Sequence, residues 1–285
     1  MIDKLKLYSG DYYKISDHIS IYQPTIGEII DYGEREFYVM AFAFCTQPGD
    51  MKWQLWDQGI DWTEVKDWEL FSTYLVKTLD KKSTSILFGD IIDFSEMKLE
   101  FDEDKNVDVL KQHVVEILDE DENVEINEDK GFLNRFLKGF FKKKNDDDKE
   151  IKTLEYDIVI DPFIYKNMCE VLRETYGFSI NKDKPGNQAT KEIQIDLDRS
   201  DYIVAAKKPY HSNLFNYVST LVNSEGFKHD EKTVMDMKIY PFMDSLKRIS
   251  KIKNANLLLQ SGYSGFGISL KEINKKELDW MGDLK

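Results

Sequence analysis

KTVMDMKIYPFMDSLKRISKIKNANLLLQSGYSG, residues 232–265, is helical by its spacing. Val234, Met237, Ile239, Tyr240, Phe242, Met243, Leu246, Ile249 and Ile252 recur three and four residues apart, and Lys238, Asp244, Lys247, Arg248, Lys251 and Lys253 fall between them. A 3.6-residue repeat of this kind puts the apolar side chains on one broad face of an amphipathic helix. Pro241 has no backbone N–H to donate, so the pattern predicts a kink there or two helices that break just before Tyr240. Leu257, Leu258 and Leu259 extend the helix toward Gly262 and Gly265, and the tail ends in the apolar set Leu278, Trp280 and Met281.

Moving toward the N-terminus, helices are predicted from Thr190 to Lys207 and from Ser212 to Ser224, after a polar loop that holds Pro185 and Gly186. Asp161-Pro162 is a helix start, with aspartate as cap and proline in the first turn, and Gly177 ends that helix. The N-terminal part is helical as well. A short strand through Ile19 and Ile21 leads into Thr25-Ile26-Gly27-Glu28, where each of Thr25 and Glu28 can bond the other's amide in a capping box. Gly33 closes that helix, and a second runs from Glu34 to Phe44 before Pro48-Gly49. Four of the five tryptophans then lie between Trp53 and Trp68. Such a cluster suits a ligand cage, a protein-binding face through Trp53 and Trp56, or a core.

From Ser83 the pattern changes to short apolar or alternating runs, at 86–89, 91–94, 97–101, 107–118 and 156–160, which read as strands. The fold class is therefore α+β: a helical N-terminal module at 1–82, a strand-rich acidic insert at 83–160, and a helical C-terminal module at 161–285. Between Ser95 and Asp129 there are fourteen acidic residues and three lysines, so most of the chain's net charge of −14 sits in the insert. The sign then reverses. Residues 131–144 carry Phe132, Leu133, Phe136, Leu137, Phe140 and Phe141 at helical spacing, with Arg135, Lys138, Lys142, Lys143 and Lys144 and no acid. A basic amphipathic segment of this kind can lie on a membrane, enter a partner's groove or fold back onto its own acidic neighbour, the last two ahead of the first. Phe132, Phe136, Leu137, Phe140 and Phe141, with Trp53 and Trp56, are the candidate protein-binding residues. Residues 145–150 read as a charged hinge.

The chemistry is notable for what fails to assemble. His18, His113, His211 and His229 include no pair four apart, as two imidazoles on one helical metal site would need. Asp119, Asp121 and Asn123 resemble the opening of a calcium loop, but Val124 and Lys130 stand where that loop needs glycine and a bidentate glutamate. Gly262 to Gly267 lacks the phosphate-loop lysine, the dinucleotide spacing and the nucleophile-elbow register. Asp93, Glu96 and Lys98 are spaced too tightly for a nuclease set. No catalytic centre, metal or cofactor is expected. The two cysteines, Cys45 and Cys169, sit among apolar neighbours as buried thiols. The acidic balance argues against nucleic-acid or anionic membrane partners. The longest apolar run, 37–45, is short of a spanning helix, and Asp3, Lys4 and Lys6 do not make a signal peptide, so a cytoplasmic home is expected.

Two segments add a resemblance. Ile19 to Glu34, followed by Leu55-Trp56-Asp57-Gln58-Gly59-Ile60-Asp61, is similar to the opening of tail-assembly-chaperone-like and other morphogenesis proteins of phages that infect Gram-positive bacteria. Lys238 to Ile249, closing with Glu277-Leu278-Asp279-Trp280-Met281, resembles the C-terminal portion of the same proteins. The resemblance implies a non-enzymatic factor in the host cytoplasm that binds tape-measure or tail-tube subunits; a homo-oligomer is compatible with it. Two other classes fit the same residues: a structural subunit of the tail or baseplate, and an acidic inhibitor that mimics DNA.

Overall fold

The computed structural model describes residues 2–118, 152–264, 273–282 and 284. Helices and strands follow in the order α1 (Lys4–Ser9), β1 (Tyr12–Lys14), β2 (Ser20–Tyr22), α2 (Ile26–Tyr32), α3 (Glu34–Ala43), α4 (Lys52–Asp57), α5 (Asp67–Leu70) and α6 (Lys81–Phe88). After these come β3 (Lys98–Asp102), β4 (Val107–Leu118), β5 (Lys152–Ile160), α7 (Pro162–Tyr176), α8 (Gln188–Ala206), α9 (Asn213–Val222), α10 (Ile239–Ser264) and α11 (Lys275–Leu278). The class is α+β, as the sequence predicts. The described chain divides into two compact units, one of residues 1–11, 23–37 and 210–285, the other of residues 12–22 and 38–209. Residues 131–144, the calcium-loop resemblance at 119–130 and the hinge at 145–150 lie outside the described residues.

In the first unit the expected capping box forms. The Glu28 amide donates to Thr25 Oγ1 at 3.1 Å, and the Thr25 amide to Glu28 Oε2 at 2.7 Å. Gly33 ends α2 with φ +105°, a left-handed conformation that costs a residue with a Cβ far more than glycine. The Ile26 amide donates to the Met237 carbonyl and the Ile239 amide to the Pro24 carbonyl, each at 3.0 Å, so the entries to α2 and α10 are stitched to one another. Gln23 is buried and donates from Nε2 to the carbonyls of Leu7 and Gly10. Glu34 Oε1 accepts from the amides of Asn213 and Leu214 and so satisfies two free donors at the start of α9. Around these bonds pack Leu7, Ile26, Ile29, Phe37, Leu214, Leu221, Val234, Ile239 and Phe242, all buried.

Pro241 does not kink a helix. A 3₁₀ turn at Thr233–Asp236 and an extended Met237 precede α10, and the break falls just before Ile239. This puts Pro241 in the first turn, where no intrahelical acceptor awaits its missing N–H. The broad buried face holds only at the start of α10: Ile239, Tyr240 and Phe242 are buried, as is Ala255, but Met243, Leu246, Ile249 and Ile252 are half-buried and Leu257 is 64% exposed. Arg248 helps to hold the tail, donating to the Gly282 carbonyl at 2.8 Å and to that of Trp280.

The second unit holds a β1–β2 hairpin and a three-stranded antiparallel sheet in the order β3-β4-β5. Leu110 sits opposite Leu99 on one side and Ile160 on the other. The core is aromatic: the rings of Phe44, Phe88 and Phe94 lie 4.8–4.9 Å apart, centre to centre, and Phe71 lies 5.8 Å from Phe44. Helix α7 starts on its Asp161 cap, ends at Gly177 with φ +73°, and adds Met168, Cys169 and Leu172 to the buried set. Two expected strands are corrected. Residues 86–88 belong to α6, whose Asp80 cap accepts from the Ser83 amide at 2.7 Å, because Thr84, Leu87 and Phe88 bury at helical spacing. Residues 91–94 lead into a 3₁₀ turn capped by Asp93. Runs of three or four apolar residues are too short for periodicity to separate helix from strand.

Candidate functional site

The charged loop at 178–187 delivers the chain to α8, where Asn187 Oδ1 accepts from the Thr190 amide at 2.9 Å as the cap. One side of α8 is committed to the rest of its unit. Lys191 Nζ reaches Asp61 Oδ2 at 2.6 Å and Thr63 Oγ1 at 3.0 Å. Ile195 is buried with Leu55, Trp62 and Leu70. One turn on, Asp198 accepts from the Trp53 amide and Arg199 pairs with Asp57. Tyr202 packs its ring 5.3 Å from that of Trp53, with the Arg199 guanidinium 5.7 Å from the same indole. Residues 191, 195, 198, 199 and 202 repeat every three to four positions, so they share one side of the helix.

The opposite side has no such partners among the described residues. Ile193, Leu197 and Val204 are spaced by four and seven residues, which aligns them in one stripe, and they are 59%, 58% and 52% exposed. Glu192, Asp196 and Asp201 stand exposed beside them. Both cations within the span 191–204, Lys191 and Arg199, turn to the inner side and pair there. The outer face is thus aliphatic along its crest and acidic along its edges. Exposed aliphatic side chains in a row, rimmed by polar ones, are the mark of a contact surface.

The aromatic candidates fall as follows. Trp53 is half-buried against α8, Trp56 is 38% exposed, and Phe132, Phe136, Leu137, Phe140 and Phe141 lie outside the described residues. Trp62 is buried, with the Lys52 ammonium over its ring. The outer stripe of α8 escaped the sequence reading. Its signal is that Ile193, Ile195 and Leu197 alternate within a helix, which forces apolar side chains onto opposite sides.

Beside the α8 start lies an open cleft of about 520 Å³, walled by Gln47, Pro48, Trp62, Asp67, Asn181 and Lys191 among others. Its amides hold the walls together. The Asn181 amide donates to Gln47 Oε1 and Asn181 Nδ2 to the Gly49 carbonyl, both at 2.8 Å, while Gln47 Nε2 donates to Asp67 at 3.0 Å. Elsewhere in the same unit, Cys169 Sγ donates to the Phe44 carbonyl and Cys45 Sγ to that of Cys169. Hydrogen bonding to Cys169, then burial, push the Cys45 thiol far up, so it supplies no thiolate at neutral pH. Among the described residues no three His, Cys, Asp or Glu side chains gather as a metal site would require, and no helix is long and apolar enough to cross a membrane.

The Lys191 ammonium, hydrogen-bonded to Asp61 with Thr63 assisting, holds the Asp61 carboxyl down at about 2 from an ordinary 3.8. A carboxyl depressed on folding stabilises the fold above its unfolded pKa and loses that contribution as pH falls through its folded one. The pair is part-exposed, so solvent screening leaves about 0.5–1 kcal/mol. Asp61→Asn is therefore expected to lower the urea midpoint at about pH 6 and to converge with the unmodified chain as pH falls from 3.8 to about 2. A gap that stays constant down to that pH would mean that charge is not what Asp61 contributes.

Comparison with known proteins adds one relationship. No curated protein and no solved structure matches the chain. A family model described as the YomV second domain, a name of phage derivation, matches residues 206–285, a span that starts at the last residue of α8 and takes in α9, α10 and α11. In that C-terminal part the chain is similar to a phage-related domain family.

Proposed function

We propose that the chain is a non-enzymatic morphogenesis factor of phage tail assembly, which holds tape-measure or tail-tube subunits in the host cytoplasm until they are built in. The outer face of α8 carries this reading. Ile193, Leu197 and Val204 stand more than half exposed on a helix capped by Asn187, whose other side carries Ile195, Lys191 and Arg199 against its own unit. Covering them recovers part of the roughly 1.5–3 kcal/mol that each large aliphatic side chain yields on full burial. A few such contacts suit a reversible grip, which is what a factor that must release its client needs. The phage-related match at 206–285 and the resemblance of 19–34 and 238–249 to tail morphogenesis proteins agree with it.

The test is affinity capture of the tagged full chain from phage-infected or prophage-induced cells, with mass spectrometry of what is retained. Tape-measure or tube subunits are expected in the capture, and the chain itself is expected to be missing from purified particles. Stoichiometric recovery of the chain in particles would make it a structural subunit instead. Capture of a DNA-processing enzyme, competed by DNA, would favour mimicry.

A further inference from the structure

We propose that the outer edge of β3 is a self-association surface, which pairs antiparallel with β3 of a second copy of the chain about a two-fold axis at Glu100. The inference is independent of α8. In the order β3-β4-β5, β3 pairs with β4 on one side, and among the described residues no strand pairs with its other edge. Its sequence, KLEFD at 98–102, is exposed from Lys98 to Phe101, with Leu99 46% and Phe101 58% exposed. Such an edge presents backbone N–H and C=O groups to any strand that can match it. Charged residues on an edge strand commonly keep other strands away, but here the sign inverts along the strand, and the strand that matches it is its own reverse.

Turning KLEFD round with Glu100 on the axis sets Lys98 opposite Asp102 and Leu99 opposite Phe101, and the symmetry makes each pair twice. Residues directly opposite share a face, so the ion pairs form on one face of the joined sheet and the apolar pairs on the other. Leu99 lies opposite buried Leu110, and Leu110 opposite buried Ile160, so the apolar pairs extend a row already present in the sheet. Within its own hairpin Lys98 faces another lysine, Lys111, whose ammonium pairs with Asp157 at 2.9 Å. Like charges directly opposite are unfavourable, so Lys98 is poorly placed for the monomer and well placed for Asp102 of a second copy. The ends of the strand select this register. An axis at Leu99 needs Met97 in the ladder, but its side chain is buried and its carbonyl accepts from Lys77 Nζ at 2.7 Å. An axis at Phe101 sets Glu100 against Asp102, and an axis between residues sets opposite faces together. The chosen register leaves one unfavourable pair, Glu100 on its own copy. An edge of 5 residues buries less than the roughly 1,200 Å² of a standard interface, so the dimer is a reversible one.

The experiment is sedimentation velocity of the full chain from about 1 μM to about 1 mM, where a monomer–dimer equilibrium is expected. Lys98→Glu is expected to weaken the dimer at least tenfold, since both ion pairs become repulsions, although the same change sets a carboxylate opposite Lys111 and should not lower the monomer's melting temperature. That opposition of signs separates a role in the interface from one in the fold. Lys98→Asp with Asp102→Lys exchanges the two charges and is expected to restore dimerisation to within about threefold of the unmodified chain, since the exchanged pair still sets opposite charges face to face. Glu100→Cys is expected to form a disulfide between copies under a mild oxidant, because the two thiols face each other at the axis; Cys45 and Cys169 are buried, so the unmodified chain serves as the control. A monomer at every concentration overturns the proposal, as does a dimer indifferent to Lys98→Glu. Failure of the exchanged pair to restore a dimer, or of Glu100→Cys to cross-link one, overturns the register at Glu100.

Discussion

Phe44→Ala is expected to lower the stability of the unit formed by residues 12–22 and 38–209 by about 3–5 kcal/mol, the range for truncating a buried phenylalanine in a core that cannot collapse around the gap. Phe44 has no exposed surface, and its ring is within 4.9 Å of those of Phe88 and Phe94 and 5.8 Å of that of Phe71. These rings come from the turn just after α3, the turn after α5, the end of α6 and the turn before β3, so one deletion opens a void shared by four segments. Its backbone carbonyl also accepts from the Cys169 thiol at 3.1 Å, which ties the same point to α7. Trp53, Trp56, Trp62 and Trp68 all belong to this unit, so tryptophan fluorescence in a urea titration reports mainly on it. A loss below about 1 kcal/mol would mean that the aromatic cluster is not the structural centre of the unit.

The second large effect is on binding. Ile193→Asp combined with Leu197→Asp should reduce capture of tape-measure or tube subunits by at least tenfold while leaving the circular dichroism spectrum unchanged. Both side chains are more than half exposed, so their replacement removes little buried surface from the fold. A carboxylate at each position instead deletes the apolar crest and forces any covering client to bury an unpaired charge. Tenfold corresponds to about 1.4 kcal/mol, less than the burial of one such aliphatic side chain is worth. The inner side of α8 supplies the comparison. Arg199→Ala breaks its pairing with Asp57 and its contact with Trp53, and should lower stability without changing capture by a correctly folded fraction. If the double aspartate variant captures clients as well as the unmodified chain does, α8 is not the docking helix.

What could be read from residues alone follows the range of the forces involved. The Thr25–Glu28 box, the Asp161-Pro162 start and the Gly33 and Gly177 stops all appear where their residues predict, because each is decided by groups within about four positions of one another. The same logic located α7, α8 and α9 to within two residues at each end. It failed at 86–88, where three apolar residues in a row carry no period and only the burial of Thr84, Leu87 and Phe88 selects a helix. It also overstated α10, since an amphipathic pattern shows which side a helix could bury but not how much of it finds a neighbour.

By itself, then, the sequence determined the local elements, their caps, the mixed class and the uneven charge of this chain, all set by neighbours along the backbone. The tertiary structure alone decided that Pro24 to Ile26 meets Met237 to Ile239, that residues 1–11, 23–37 and 210–285 gather into one unit, and that Ile195 is covered while Ile193 and Leu197 are not. Those outcomes depend on contacts between residues more than a hundred positions apart. Hydrophobic burial is non-directional, so no spacing along the chain encodes which of two apolar faces the rest of the molecule will cover.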